Sequence, residues 1–271
     1  MKYNKRKYQK RTVKKTTTKY AKKAPVKPSI KALVKAEVHK NIENKILNYT
    51  FPKTNMLIYT NGSWSTGQLF PLSPYASFAN AVQGTAQNQR IGNEINIRSA
   101  KIKLLFNVNP YDLTTNLITG PLLIKIITFY DKLEPVLLTT NMDGLYQNGS
   151  SVSNPDVGSN IDVLKAYNRD RYVIKATKIL KLGNAIYNTG AGGLQTYQFH
   201  SNNDFPLFQT YTLDYTKHLA KHVKYNDNAV SPTTRGLFMG LFVMNADGSA
   251  LAGSQSPCNF RGFIDIEYED A

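Results

Sequence analysis

LLIKIITFY, residues 122–130, is apolar at both parities apart from Lys125 and Thr128. A strand wetted on one face alternates, so an apolar run of this length reads as a central strand covered on both sides. LFMGLFVM, residues 237–244, repeats the pattern with no polar side chain. These two are expected to be the most buried strands of an all-β domain.

Around them the chain from residue 49 onward keeps a period of two, and its turns are rich in Gly, Pro, Asn and Ser. Ile95 and Ile97 share one parity, whereas Ile102, Leu104, Phe106 and Val108 share the other. The strand must change faces near Ser99 and Ala100, as a β-bulge would allow. Tyr172–Leu182 is a further strand. In Phe205–Tyr215, the residues Phe205, Leu207, Tyr211, Leu213 and Tyr215 alternate with Phe208, Thr210, Thr212 and Asp214. The last strand, Phe260–Tyr268, places Phe260, Ile264, Ile266 and Tyr268 opposite Arg261, Asp265 and Glu267. About seven or eight strands with long connections predict a two-sheet antiparallel sandwich, a single jelly roll. Three stretches, 61–94, 139–162 and 183–204, read as long contact loops.

N-terminal to this domain the composition changes. The first 28 residues hold Lys2, Lys5, Arg6, Lys7, Lys10, Arg11, Lys14, Lys15, Lys19, Lys22, Lys23 and Lys27, and no acid. The chain carries +16 in all and this arm +12, so the other 243 residues carry only +4. The arm has too little apolar surface to offset the entropy of folding, and it is expected to order only on a polyanion. Basicity gathered in one tail is the footprint of phosphate-backbone binding. Tyr3, Tyr8 and Tyr20 stand among the cations, placed to stack on unpaired bases. The same cations suit a nuclear-localisation signal and hence host import machinery, and the sequence does not separate the two uses.

Between arm and domain, Ile30, Leu33, Val34, Val38, Ile42, Ile46 and Leu47 recur at three- and four-residue steps among Lys31, Lys35, Lys40, Glu43 and Lys45. This predicts an amphipathic helix with Ser29 as its N-cap. The expected division is therefore 1–28 arm, 29–48 helix and linker, and 49–271 sandwich.

Cys258 is the only cysteine, which excludes a disulfide framework and a Cys-based zinc site and points to a reducing compartment. No apolar run approaches the roughly 18 residues of a membrane span, so a soluble chain is expected. Asn48, Asn61 and Asn148 open glycosylation-type triplets, read as chance matches because no secretory segment precedes them. His218 and His222 have the i, i+4 spacing of helical metal ligands, but Lys217, Lys221 and Lys224 crowd them, so a solvated basic segment is expected there, with a possible second phosphate-facing role. Gly190–Gly193 is no phosphate-binding loop of known pattern, and no nucleophile elbow accompanies His39 or His200. No catalytic residue, metal or cofactor is predicted. The acids Asp265, Glu267, Glu269 and Asp270 suit inter-subunit salt bridges, interface calcium, or a solvated strand edge.

The Lys-rich arm, the segment Gln83–Ile95 leading into a strand with Lys101 and Lys103, the stretch Lys221–Asn226 before a buried strand, and the aromatic last strand occur in an order that resembles the capsid proteins of small circular Rep-encoding single-stranded DNA viruses, the circovirus-like group. That resemblance implies one jelly roll, sixty copies in a T=1 icosahedral virion, the arm inside against the genome, and assembly in the host nucleus. Two other classes are compatible with the residues: a non-viral β-fold nucleic-acid-binding protein, marked by basic and aromatic residues on a sheet face as well as in a tail, and a jelly-roll lectin or hydrolase with a cleft of clustered acids or aromatics.

Overall fold

The computed structural model describes residues 29–30, 33, 44–56, 69–72, 81–111, 116, 120–133, 145–148, 151–153, 160–189, 195–200, 204–227, 229, 232–248 and 255–270. The chain divides into two units, Met1–Ile42 and Glu43–Ala271. In the first, Ser29 accepts an α-type backbone bond from Leu33 N–H at 3.0 Å, and Ile30 and Leu33 are exposed.

The second unit holds fourteen described strands: β1 (Asn44–Met56), β2 (Leu69–Pro71), β3 (Glu94–Val108), β4 (Leu122–Asp131), β5 (Tyr146–Asn148), β6 (Ser151–Ser153), β7 (Ala166–Tyr167), β8 (Tyr172–Leu182), β9 (Asn184–Thr189), β10 (Gln195–His200), β11 (Phe208–Asp214), β12 (His222–Lys224), β13 (Phe238–Asn245) and β14 (Cys258–Asp270). One sheet runs β1-β14-β3-β11, with β12 also on β3; a second runs β2-β13-β4-β8. Every pairing between these strands is antiparallel. The chain passes back and forth between the two sheets, an order consistent with a jelly-roll sandwich.

The alternation read from sequence sets the inner faces. Phe51, Ile102, Leu104, Phe106, Phe260 and Ile264 of the first sheet share one buried cluster with Ile124, Ile126, Leu180, Leu182, Leu241 and Val243 of the second. Each such side chain contributes about 1.5 to 3 kcal/mol of burial free energy. The face change expected near Ser99 is present as a bulge. Glu267 pairs with Ser99 and Tyr268 with Ile97, so Arg98 is the extra residue. β11 and β12 share one edge of β3 on either side of it.

β4 and β13 are covered on both faces, as their composition requires. Their second face packs Ile127, Phe129, Phe238 and Phe242 against Leu145, Tyr146 and Tyr172, under the small sheet β6-β5-β7. Lys125, the cation inside the apolar run, is only 1% exposed. Its ammonium donates to Tyr146 Oη at 2.5 Å and lies 5.1 Å from the centre of the Tyr167 ring.

Three expectations are corrected. Residues 44–48, assigned to the helix, belong to β1, because Lys45, Leu47 and Phe51 alternate inward against β14 while Ile46 faces out. The sheet unit thus begins at Glu43, not at residue 49. The three long loops carry strands: β2 within 61–94, β5 and β6 within 139–162, and the β9–β10 hairpin within 183–204. β14 is an interior strand, so its acids do not line an edge.

Gly262 on β14 lies against β3 so closely that a Cβ would stand 2.1 Å from the Lys103 carbonyl oxygen and 2.9 Å from Leu104 Cδ2. Gly262→Ala is expected to cost about 2 kcal/mol through overpacking. A urea titration checks this, with a lower midpoint at unchanged slope.

Candidate nucleic-acid interface

The twelve arm cations, Lys2 to Lys27, lie outside the described residues, as do His39 and most of the 29–43 segment. The sheet unit carries two organised groups of charged residues.

The first is structural. Segment Gln83–Ile95 is held by Arg90, which is fully buried. Its Nε donates to Ala81 O at 3.1 Å and its Nη2 to Ala229 O at 2.7 Å, while Nη1 donates to Gly92 O and Asn93 Oδ1. The guanidinium also covers the Tyr225 ring at 4.2 Å. Burial pushes the Tyr225 hydroxyl well above its usual range, with Arg90 acting weakly against that shift. The same loop is tied to the end of β14: Lys45 Nζ donates to Gln89 O at 2.7 Å and pairs with Asp270 at 2.6 Å, and Asp270 Oδ1 accepts from Ile91 N–H at 3.1 Å. Glu269 pairs with Arg98. Two of the four tail acids are therefore neutralised within the chain.

The second is the outer face of the first sheet, where charge is sorted by position. At one end, Lys101 stands opposite both Asp265 and Asp214. Hydrogen bonds from the Thr216 hydroxyl and amide hold the Asp214 carboxyl below its usual range, and Lys101 and Lys217 assist. Toward the other end the face turns cationic, with Lys103 and Arg261 followed by Lys53. Phe263 and Phe208 lie on this face, 40% and 63% exposed, and Lys103 Nζ stands 5.0 Å from the Phe263 ring centre.

His218 and His222 do not share a helix face. His218 ends the short 3-10 turn Thr216–His218, and His222 on β12 pairs with Glu94 at 2.8 Å. Burial, then Lys217 and Lys175, lower the His218 pKa, so it titrates below the ordinary imidazole. Tyr130, whose ring faces Arg235 at 4.9 Å and Lys175 at 5.4 Å, donates its hydroxyl to His218 O. Among the described residues no group of three or more His, Cys, Asp or Glu is placed to hold a metal ion. Among them, too, no helix is long and apolar enough to cross a membrane.

The sequence reading missed the basic end of this face. It separated Arg261 by parity from Phe260 and Phe208 from Leu207, but the meeting of Arg261 with Lys53 depends on strand pairing and a bulge.

No protein-family model matches the chain, and no curated protein matches it. Among solved structures, it is similar to the T13 viral particle of IBDV at 9% identity and TM-score 0.29, over 83% of this chain and 31% of that one. It is similar to the activated particle of KBV at acidic pH, at 12% identity and TM-score 0.26, over 98% and 82%. It is similar to the 60-mer capsid protein of BFDV at 9% identity and TM-score 0.22, over 84% and 93%. The chain spans about a third of the first of these.

Proposed function

We propose that the chain is a viral coat protein whose sheet unit associates with copies of itself in an icosahedral shell and whose arm condenses single-stranded nucleic acid. The observation that carries the reading is the split of charge: +12 in 28 residues without an acid, joined to a remainder of +4. A body so nearly neutral can approach its own copies without strong mutual repulsion. Lysines supply point charges and no bidentate reading of base edges, so packaging is independent of sequence.

The circovirus-like resemblance adds a T=1 shell of sixty copies, a circular DNA genome, and a nuclear stage reached through host import. Sixty arms would bring about 720 positive charges against one negative charge per phosphate, so a longer genome needs other counterions. The shell reading carries no catalytic step.

A second reading is favoured by the outer sheet face. Cations beside exposed phenylalanines are what a non-viral β-fold nucleic-acid-binding module would display. Negative-stain microscopy of the purified protein separates the two: closed shells of small-virus size support the coat, and their absence under all assembly conditions supports the module.

Binding itself is tested by salt. The arm's share of the log–log salt slope for a single strand is expected to be no steeper than about −8, from roughly −0.7 for each of twelve cations. A fluorescence titration giving a slope near zero would refute the arm's role.

A further inference from the structure

Between Phe51 and Thr54 the register of β1 against β14 shifts, so that Pro52 and Lys53 together oppose Arg261. A bulge of this kind re-aims side chains, and on the edge strand β1 the proline costs no ladder bond from a neighbour. Lys53 and Arg261 line one pocket of about 320 Å³ together with Asn107, Asn109 and Asn259. The amide wall is fixed in place. Asn259 Nδ2 donates to Asn109 Oδ1, Asn109 Nδ2 donates to Ser256 O at 2.8 Å, and Asn109 N–H donates to Pro257 O at 2.8 Å. Neither Lys53 nor Arg261 forms an ion pair with a carboxylate among the described residues. Two cations left without a counter-charge beside a preformed polar pocket suit an anion with several acceptor oxygens.

The surroundings narrow the anion's identity. Phe263 lies two residues from Arg261 on the same outward parity, about 7 Å along the strand, with its ring 40% exposed and Lys103 above it. An exposed ring beside a phosphate-sized cationic site is the arrangement that holds an unpaired base next to its own backbone.

We infer that this pocket is a second nucleic-acid site, in which Lys53 and Arg261 hold a backbone phosphate of a single strand and Phe263 stacks the adjoining base. The inference rests on the reading that the chain binds single-stranded nucleic acid, and it holds for a coat protein or a binding module alike. A duplex cannot use the site fully, because its bases are already stacked on one another. Inorganic phosphate can occupy the cationic half alone.

The test uses the full chain with its twelve arm cations changed to glutamine, which isolates the sheet unit's own binding. Fluorescence anisotropy with a short labelled thymidine oligonucleotide is measured for this protein and for the same protein with Lys53→Gln and Arg261→Gln. The added pair is expected to weaken binding roughly tenfold and to flatten the log–log salt slope by about 1.4, two cations at roughly 0.7 each. Lys53→Arg with Arg261→Lys should keep the slope, and circular dichroism confirms that each variant is folded. Phe263→Ala should weaken the oligonucleotide, yet leave unchanged the thermal protection given by inorganic phosphate.

Unchanged affinity and slope in the double variant would overturn the site. So would protection by inorganic phosphate with no effect of Phe263→Ala on the oligonucleotide, which leaves a free-phosphate site only. If the arm-neutralised protein binds nothing, the pocket fails and the arm reading stands. If it binds as tightly as the unmodified chain and the double variant abolishes binding, the arm reading fails and the pocket stands.

Discussion

Changing all twelve arm cations to glutamine is expected to weaken single-strand binding by more than about a thousandfold at low salt, and to leave the sheet unit's stability unaltered. The size follows from counterion release. Six to ten phosphate contacts already shift affinity by about three to five orders of magnitude between low and moderate salt, and the arm supplies twelve cations. The log–log slope should flatten by about 8, twelve cations at roughly 0.7 each, leaving about −1.4 from the two sheet-borne cations. The unchanged stability follows from composition, because the arm's apolar residues amount to Val13, Ala21, Ala24, Val26 and three tyrosines. Paired anisotropy and urea titrations read both quantities on the same preparation. A variant that no longer yields folded protein would overturn the division between arm and body, whatever its affinity.

What the sequence revealed and what it hid follow one physical division. β4, β8 and β13 were legible because ten or so residues of sustained pattern leave little choice of face, and the bulge at Arg98 was legible because apolar parity visibly changes across it. β2, β5, β6 and β12 have three residues each, too few to show a period, so the first three were hidden in stretches read as loops and β12 in a stretch read as a solvated basic segment. Residues 44–48 carried two periods at once. Ile42, Ile46 and Leu47 fit a helix, while Lys45, Leu47, Tyr49 and Phe51 fit a strand, and pairing along β14 decided for the strand. The interior place of β14 was not legible, since nothing local states that the last strand enters between β1 and β3. The pocket was hidden for the same reason: Lys53 and Arg261 are 208 positions apart in sequence and meet only through that pairing.

Arg90→Ala is expected to destabilise the sheet unit by about 4 kcal/mol, the largest effect of any single substitution considered. The side chain is fully buried and satisfied mainly by backbone carbonyls: Ala81, Gly92 and Ala229 each accept one of its N–H groups. Truncation takes the guanidinium donor from one buried carbonyl, Ala81 O, and from two half-buried ones, Gly92 O and Ala229 O. The buried one is worth about 1 to 3 kcal/mol and the others less where water can enter. It also opens a cavity against the Tyr225 ring. Two substitutions separate these contributions. Arg90→Met fills the volume and leaves the carbonyls unpaired, so it should recover only the cavity part, about 1 kcal/mol. Arg90→Lys keeps the charge, but one ammonium cannot reach acceptors spread around a planar guanidinium, so about 2 kcal/mol should remain lost. The damage should spread along a defined route. Arg90 N–H donates to Val82 O and Arg90 O accepts from Gly84 N–H, and the neighbouring Gln89 and Ile91 tie the loop to Lys45 and Asp270. Loosening the guanidinium should therefore expose 83–93 to proteolysis at denaturant concentrations where the rest of the sheet unit is still folded. Urea midpoints of the three variants, with cleavage mapped by mass spectrometry, give the comparison. Equal stability of the alanine and methionine variants would show that the unpaired carbonyls, not the cavity, dominate, and no loss in either would mean the loop is held by its backbone alone.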